Sequence, residues 1–340
     1  MSPIAAPDVA TADAADRLIL DEAAASISGA DVVAIGSAGL AAGARAAGAA
    51  SVRVYQDVLG DEPPTELDSE LLAGATVVLV RLPKSLEALD RIARAVSALA
   101  DPAVVVFAGG RLKYMTVGMN EVLGRSFETL DVTHARQKSR VLIARLPRAV
   151  APALPRREYQ SELGIWVGAV GGVFAGASLD IGTRALLATF DRLPAYETAI
   201  DLGCGSGILA ADLKRRRPGA RVIASDASAD AVASARETAV ANELEFEIVR
   251  DRGLSAQPNA SADLIVLNPP FHDGGAVTTD IAMELFAEAA RVLKPGGRLR
   301  VVWNSHLAYK PALRRIVGPT DEVSRAAKFT VTESIKGARA

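Results

Sequence analysis

From Thr198 to Ile335, strand-length apolar runs alternate with helix-patterned segments, and that alternation restricts this part of the chain to an open α/β sheet. The strand candidates are Thr198 to Leu202, Arg221 to Ser225, Glu245 to Val249, Asp263 to Leu267, Arg298 to Trp303 and Phe329 to Ile335. Helical stretches fall between them at Ile208 to Arg217, Ala229 to Asn242 and Ile281 to Leu293. Ligands of such sheets bind outside the carboxyl ends of the strands, so the residues just after each run are where function is expected.

The first half repeats the order more weakly. Val32 to Ile35 runs into Gly36, Val52 to Tyr55 into Asp57, and Ala75 to Val80 into Arg81-Leu82-Pro83-Lys84. Pairing Gly36 with Gly203, Asp57 with Asp226, and Arg81-Leu82-Pro83 with Asn268-Pro269-Pro270 gives offsets that grow along the chain, the pattern of a duplication with insertions in the second copy. The string Gly-Gly-Arg-Leu at 109 and 296 does not belong to that pairing, because it follows a strand in one half and precedes one in the other. With 340 residues there is room for two domains of ordinary size. We expect domains at 1–150 and 165–340, joined by a linker at 151–164 that Pro152 and Pro155 mark. Arg136, Lys138, Arg140, Arg145, Arg148, Arg156 and Arg157 occur here without an intervening acid. They read equally as a phosphate-contacting strip, with Arg136, Lys138 and Arg140 as its substrate-binding residues, and as a solvated strand face.

A net charge of −2 leaves no global field, so any nucleic-acid contact must come from a local basic patch. The single cysteine, Cys204, excludes an internal disulfide framework and a thiolate cluster, and reads as a small residue tolerated in a glycine turn. His134, His272 and His306 lack the spacing of a ligand set, so no metal is expected. Met1 to Ala15 has neither a basic start nor an apolar stretch, and no window is apolar enough to span a membrane. A cytoplasmic monomer is the expectation.

Asn268-Pro269-Pro270-Phe271 follows the apolar run Asp263 to Leu267. Two prolines remove two backbone donors and fix φ, which leaves a rigid loop whose carbonyls can accept. Asn268 adds an acceptor and Phe271 a flat apolar face for stacking. Together they suit a planar group with an exocyclic NH2, either a nucleobase amine or a glutamine amide. Next to it in sequence, His272 reads either as a contact to substrate phosphate or base or as a loop residue.

Asp201-Leu202-Gly203-Cys204-Gly205-Ser206-Gly207 turns the first strand of the second half into a helix. The spacing is GxGxG with an acid ahead of it, rather than the GxGxxG of dinucleotide folds. Asp226 ends the next strand and suits a ribose diol, while Asp251 follows the third and can accept from an adenine amine. Acids at three strand ends fit a nucleoside bearing an ammonium group, and S-adenosylmethionine is such a ligand.

These residues resemble the class I S-adenosylmethionine-dependent methyltransferases. With Gly172-Val173-Phe174, Leu179-Asp180-Ile181-Gly182 and Leu293-Lys294-Pro295-Gly296-Gly297 added, nearly the whole chain is similar to the bacterial ribosomal RNA guanine-N2 methyltransferases, the RsmC and RlmG families. Leu179 to Arg184, Asn304-Ser305-His306-Leu307, Ala327-Lys328-Phe329 and Ala135 to Ser139 resemble the large-subunit type more than the small-subunit type. The resemblance implies two tandem Rossmann-like methyltransferase domains, the first degenerate and turned to holding RNA. It implies S-adenosylmethionine as cofactor, closed over by Phe174, Asp180 and Gly182. It implies a ribosomal RNA or ribosomal subunit as partner, with Asn268, Pro269, Pro270 and Phe271 as the catalytic loop. Ala34 and Ile35 stand where Asp201 and Leu202 would be, which fits a first domain without cofactor. Two other readings remain: methylation of adenine N6 or of glutamine, and a non-catalytic RNA-binding assembly factor that keeps the pocket.

Overall fold

The computed structural model describes residues 13–60, 63–269 and 276–337. The chain divides into two compact units, Met1–Leu154 and Pro155–Ala340.

In the first unit α1 (Ala14–Ile27) precedes β1 (Asp31–Ile35), α2 (Ala38–Ala46), β2 (Ser51–Tyr55), α3 (Ser69–Leu72) and β3 (Val77–Arg81). α4 (Leu86–Leu99), β4 (Val105–Arg111), α5 (Val117–Ser126), β5 (Phe127–Val132) and β6 (Ser139–Pro147) complete it. The sheet order is β2-β1-β3-β4-β6-β5, with β1 to β4 parallel and β6 antiparallel to both neighbours. Alternate residues of each strand go to opposite faces. Val32, Ala34, Leu79 and Phe107 pack with Ile19, Ala23 and Leu40 on one side, while Val33, Ile35, Val78 and Val80 pack with Leu89, Ile92 and Val96 on the other. α4 starts where Ser85 accepts from the Ala88 amide, and its apolar residues recur at helical spacing along that buried side.

The second unit begins with a hairpin, β7 (Arg156–Gln160) and β8 (Ile165–Ala169), followed by α6 (Ile181–Leu187), β9 (Thr198–Leu202), α7 (Ile208–Arg216) and β10 (Arg221–Asp226). Then come α8 (Ala229–Ala241), β11 (Glu247–Arg250), β12 (Ala262–Leu267), α9 (Ala276–Val292), β13 (Leu293–Asn304), α10 (Lys310–Ile316), β14 (Thr320–Arg325) and β15 (Phe329–Ile335). Its seven strands lie in the order β11-β10-β9-β12-β13-β15-β14, and β15 is antiparallel to β13 and β14. The chain moves from β9 outward to β11 and then returns to the other side of β9 as β12. That reversal opens a crevice between the ends of β9 and β12. The hairpin stands apart from the sheet and is tied to α8, where Thr238 Oγ1 accepts from the Gly168 amide and Asn242 bonds the Trp166 backbone. β7 lies in the stretch expected as a linker: the division falls between Leu154 and Pro155, and the residues after it already pair with β8.

Register relates the two sheets residue by residue. Ile35 pairs with Val80 across β1 and β3, as Leu202 pairs with Leu267 across β9 and β12. Ala34 therefore takes the place of Asp201, and Arg81 that of Asn268. The Gly36 amide donates to Tyr55 O at 2.9 Å and the Gly203 amide to Ser225 O at 2.8 Å. That bond makes Gln56, and not Asp57, the counterpart of Asp226. Among the described residues the first unit has no counterpart of β11. Both Gly-Gly-Arg-Leu strings start inside matching strands, but at the carboxyl end of β4 and near the amino end of β13.

Candidate active site

Asn268 leaves β12 beside the turn that leaves β9, because Leu267 and Leu202 are register partners. Its Nδ2 donates to Thr183 Oγ1 at 2.9 Å and lies 3.5 Å from Asp180 Oδ2. A carboxylate can only accept, so the amide nitrogen is the end that faces Asp180. The other end, Oδ1, is buried without a hydrogen-bond partner. Asp180 caps α6, accepting from Gly182 N at 2.9 Å and Thr183 N at 3.3 Å. Gly182 is closely hemmed in, since a Cβ would stand 3.1 Å from Asp180, 3.3 Å from Asn268 Oδ1 and 3.3 Å from the Phe329 ring.

Asp226 knits the glycine turn to the following helix: Oδ2 accepts from Gly205 N and Oδ1 from Ser228 N, both at 2.9 Å. Gly203 and Gly205 hold φ of 68° and 52°, the left-handed region, and a Cβ on either would point into open space. Gly207 is different, with φ 75° and a Cβ that would come within 2.8 Å of Ala235. Asp201 lies behind the turn, fully buried, with Oδ2 accepting from Ala210 N at 3.0 Å and Oδ1 unpartnered. Burial, with Asp226 adding a like charge, pushes its carboxyl up to about 7. Burial also pushes the Cys204 thiol up, which keeps it protonated and un-nucleophilic.

The cleft in front is lined by Phe174, Ala175, Ser178, Leu179, Asp180, Thr183, Gly203, Cys204, Gly205, Ser206, Ile208, Leu209 and Asn268. The structure thus brings Phe174, Asp180, Gly203, Gly205 and Asn268 onto one cavity, with Gly182 beside Asn268, holds the part-exposed Asp226 against the glycine turn, and leaves Gly207 and the buried Asp201 out of the lining. Asp251 is adjacent through its amide, which donates to Asp226 O at 2.9 Å, but its carboxylate accepts from Ser255 Oγ and from Ala256 N at 2.9 Å. It is engaged in its own turn rather than turned outward. Pro269 is buried. Pro270, Phe271 and His272 lie outside the described residues. A roomier hollow of about 500 Å³ opens at the amino ends of β10 and β11, lined by Lys214 and by Arg221 and Glu247, which pair there. Its lining holds neither a glycine turn nor a buried unpartnered acceptor, both of which the narrower cleft has.

The basic stretch does not form one strip. Arg136 pairs with Glu22 at 3.0 Å and Arg145 with Asp131 at 2.5 Å in the first unit, while Arg157 pairs with Glu237 at 2.8 Å in the second. Arg140 and Arg145 are five residues apart on β6 and so face opposite sides. The intervening segment crosses the division between units, and sequence alone did not show which acids fold back onto these arginines. Thr183 was missed for a similar reason: its only local signal is a place in the first turn of a helix. Among the described residues no group of His, Cys, Asp and Glu is placed to hold a metal, and no helix is long and apolar enough to cross a membrane.

Comparison with known proteins fits this layout. The family described as Methyltransferase small domain matches residues 164–333, and the RLMG N-terminal domain matches residues 56–148. A Streptomyces avermitilis protein, Ribosomal RNA large subunit methyltransferase G, is 36% identical over 286 residues, covering 81% of this chain and 73% of its own. The protein of the same name from Shewanella amazonensis is 34% identical over 297 residues, covering 85% and 75%. Among solved structures, the T. thermophilus 16S rRNA N2 G1207 methyltransferase (RsmC), in complex with AdoMet and guanosine, superposes with a TM-score of 0.80 at 20% identity. It covers 98% of this chain and 97% of its own, which establishes the shared fold.

Proposed function

The chain belongs to the ribosomal RNA large subunit methyltransferase G family, and on that premise we propose that it transfers a methyl group from S-adenosylmethionine to the exocyclic N2 of a guanine in 23S ribosomal RNA. The observation that carries the reading is the buried, unpartnered Oδ1 of Asn268, fixed to face the cleft by Thr183 and Asp180. An orphaned buried acceptor costs stability, about 1–3 kcal/mol, unless a substrate donor completes it. The amine of a guanine has such donors.

The cleft suits the cofactor. Gly203 and Gly205 leave the backbone uncovered on the open side, and Asp226 holds that turn at the end of β10, where a ribose diol would meet a carboxylate. Gly203, Gly205, Asp226, Asp180 and Phe174 are the residues that would hold S-adenosylmethionine, with Asp201 and Gly207 supporting them from behind. When bound, it supplies a methyl carbon activated by the adjoining sulfonium.

The chain's own contribution is positioning and electrostatics. Guanine N2 is a weak nucleophile because its lone pair is delocalised into the ring. Asn268 Oδ1 and the Pro269 carbonyl accept from its two hydrogens, favour a pyramidal nitrogen and stabilise the positive charge that grows on it. Phe271 stacks on the base, and His272 lies next to it in sequence. The first unit takes no cofactor in this reading and serves to hold RNA; Asn268's place there belongs to an arginine. The protein acts as a cytoplasmic monomer.

The test is product analysis. Purified protein, labelled S-adenosylmethionine and either stripped 23S RNA, large subunits or total protein are incubated, and the modified nucleoside or residue is identified. Label in N2-methylguanosine is the expected result; label in N6-methyladenosine or in methylglutamine, or no label at all, would refute the assignment.

A further inference from the structure

Arg81 has the register place of Asn268 but none of its freedom. Its guanidinium donates to Asp13 at 2.6 and 2.7 Å and to Asp16 at 2.9 Å, and Ser37 Oγ donates to Asp16 at 2.7 Å. Gly36 packs against it, its missing Cβ 3.3 Å from Arg81 O. The first unit thus has an ion-pair network at the register place that Asn268 holds in the second.

The carboxyl edge of the same sheet, just outside that network, is built of other residues. The Leu82 amide donates to Gly109 O at 2.9 Å, which lays the Lys84 loop along the end of β4. β4 continues into Arg111-Leu112-Lys113-Tyr114. Two ammonium groups lie over the Tyr114 ring in cation–π contact, Lys113 Nζ at 4.5 Å and Lys84 Nζ at 5.2 Å from its centroid, while Tyr114 itself is 47% exposed. The Leu112 amide donates to Lys138 O at 2.9 Å, so the 136–139 turn closes on the same edge. Gln137 and Lys138 hold φ of 50° and 59°, an unusual state for residues that are not glycine. Reciprocal bonds between Arg136 and Ser139, 3.0 and 2.8 Å, keep them there. Such strain persists only where the surroundings enforce it, and here it sets Lys138 on an exposed turn. Arg111, Lys113 and Lys138 have no acidic partner among the described residues, in contrast to Arg81, Arg136 and Arg145 of the same unit.

We propose that this edge, formed by Lys84, Arg111, Lys113, Tyr114 and Lys138, binds an unpaired segment of the ribosomal RNA, with phosphates on the cations and one base stacked on Tyr114. The inference rests on the assignment of an RNA substrate above and names the site on the first unit that takes it. Cations alone would serve a duplex as well as a single strand. An exposed ring set among them selects an unstacked base, since a ring cannot stack on bases already stacked in a helix.

The experiment uses the full chain and a 23S rRNA transcript. In the Lys84→Ala, Lys113→Ala, Lys138→Ala variant, KM for the transcript should rise at least about tenfold, and the slope of log affinity against log salt should shrink by about 2–3, near one for each lost phosphate contact. Tyr114→Ala should weaken binding about tenfold with its salt slope unchanged, because stacking releases no counterions, and Tyr114→Phe should restore it. Cofactor affinity and thermal midpoint, measured in parallel, should match the wild type and so report an intact fold. If the triple variant kept the wild-type KM and salt slope while the wild type still made N2-methylguanosine, this site would be wrong and the RNA assignment would stand. If the wild type made none, the assignment beneath it would fall as well.

Discussion

The Nδ2 of Asn268 donates to Thr183 Oγ1 at 2.9 Å, and this bond settles which end of the amide is engaged and which, Oδ1, is left without a partner. Asp180 enforces the same choice, since its carboxylate cannot donate to an amide oxygen turned the other way. An amide free to rotate would present its NH2 to the substrate amine half of the time, donor against donor. In the proposed reaction Thr183 is a positioning residue for the Asn268 acceptor.

Thr183→Val removes the hydroxyl at nearly constant volume, so kcat should fall about tenfold or more while cofactor affinity changes little. Thr183→Ser should restore most of kcat. Steady-state kinetics with separate kcat and KM, beside calorimetric cofactor titration, check this; loss confined to cofactor binding would place Thr183 in the cofactor site instead.

Asn268→Ala should abolish measurable transfer, a loss of at least about a hundredfold, because it removes an acceptor for charge that develops only during the reaction. Cofactor affinity should stay within a few-fold of wild type. A severe loss of affinity in the titration would contradict the role.

Asp201 gives a pH signature. Its folded-state value of about 7 lies above the ordinary aspartate value, so between pH about 4 and 7 the unfolded chain binds fewer protons than the folded one. Stability contributed by this group is full below pH 4, falls as pH rises and is lost above pH 7. Asp201→Asn cannot titrate, so the difference between its thermal midpoint and the wild type's should shift in the variant's favour by the equivalent of a few kcal/mol from pH 4 to 7. A pH-independent difference would show that Asp201 stays ionised.

Gly207→Ala should lower stability by about 2 kcal/mol or more, since the residue must hold φ 75° and its Cβ would meet Ala235 at 2.8 Å. Denaturant unfolding measures it. The same change at Gly205 meets no atom and should show only the smaller backbone penalty, about 1 kcal/mol.

Calorimetric titration of the full chain should give one cofactor site per chain, because in the first unit Ala34 and the ion-paired Arg81 stand at the register places of Asp201 and Asn268. Arg81→Ala should not open a second site. It should destabilise the protein by on the order of 2 kcal/mol at neutral pH, a part-exposed pair being worth less than a buried one. The Arg81 guanidinium holds the Asp13 carboxyl well below the usual range. Its contribution is therefore present above pH 4 and is lost only in strong acid, where the gap between variant and wild type should close.

The sequence by itself determined the class of each half and the chemistry of the second. Runs such as Asp263 to Leu267 can only be buried strands, since every residue from Leu264 on is apolar and turn residues bound the run; Asn-Pro-Pro-Phe and the GxGxG turn are local signals because one segment carries all their parts. β5, β7 and β14 carry exposed charged residues and are strands because of what they pair with, and the uncharged, five-residue β8 is likewise a strand through its pairing with β7. The tertiary structure alone decided register, and with it that Gln56 rather than Asp57 answers to Asp226. It decided which charges are spoken for: the arginines at 136, 145 and 157 find acids 114, 14 and 80 residues away, and no local pattern encodes such pairs. It also brought Thr183 to Asn268 across 85 residues of chain, turning a helix-start threonine into the residue that orients the acceptor. Local propensity acts over a few residues, whereas the direction of a hydrogen bond in a buried cleft is fixed by whichever donors and acceptors the fold places within 3 Å of it.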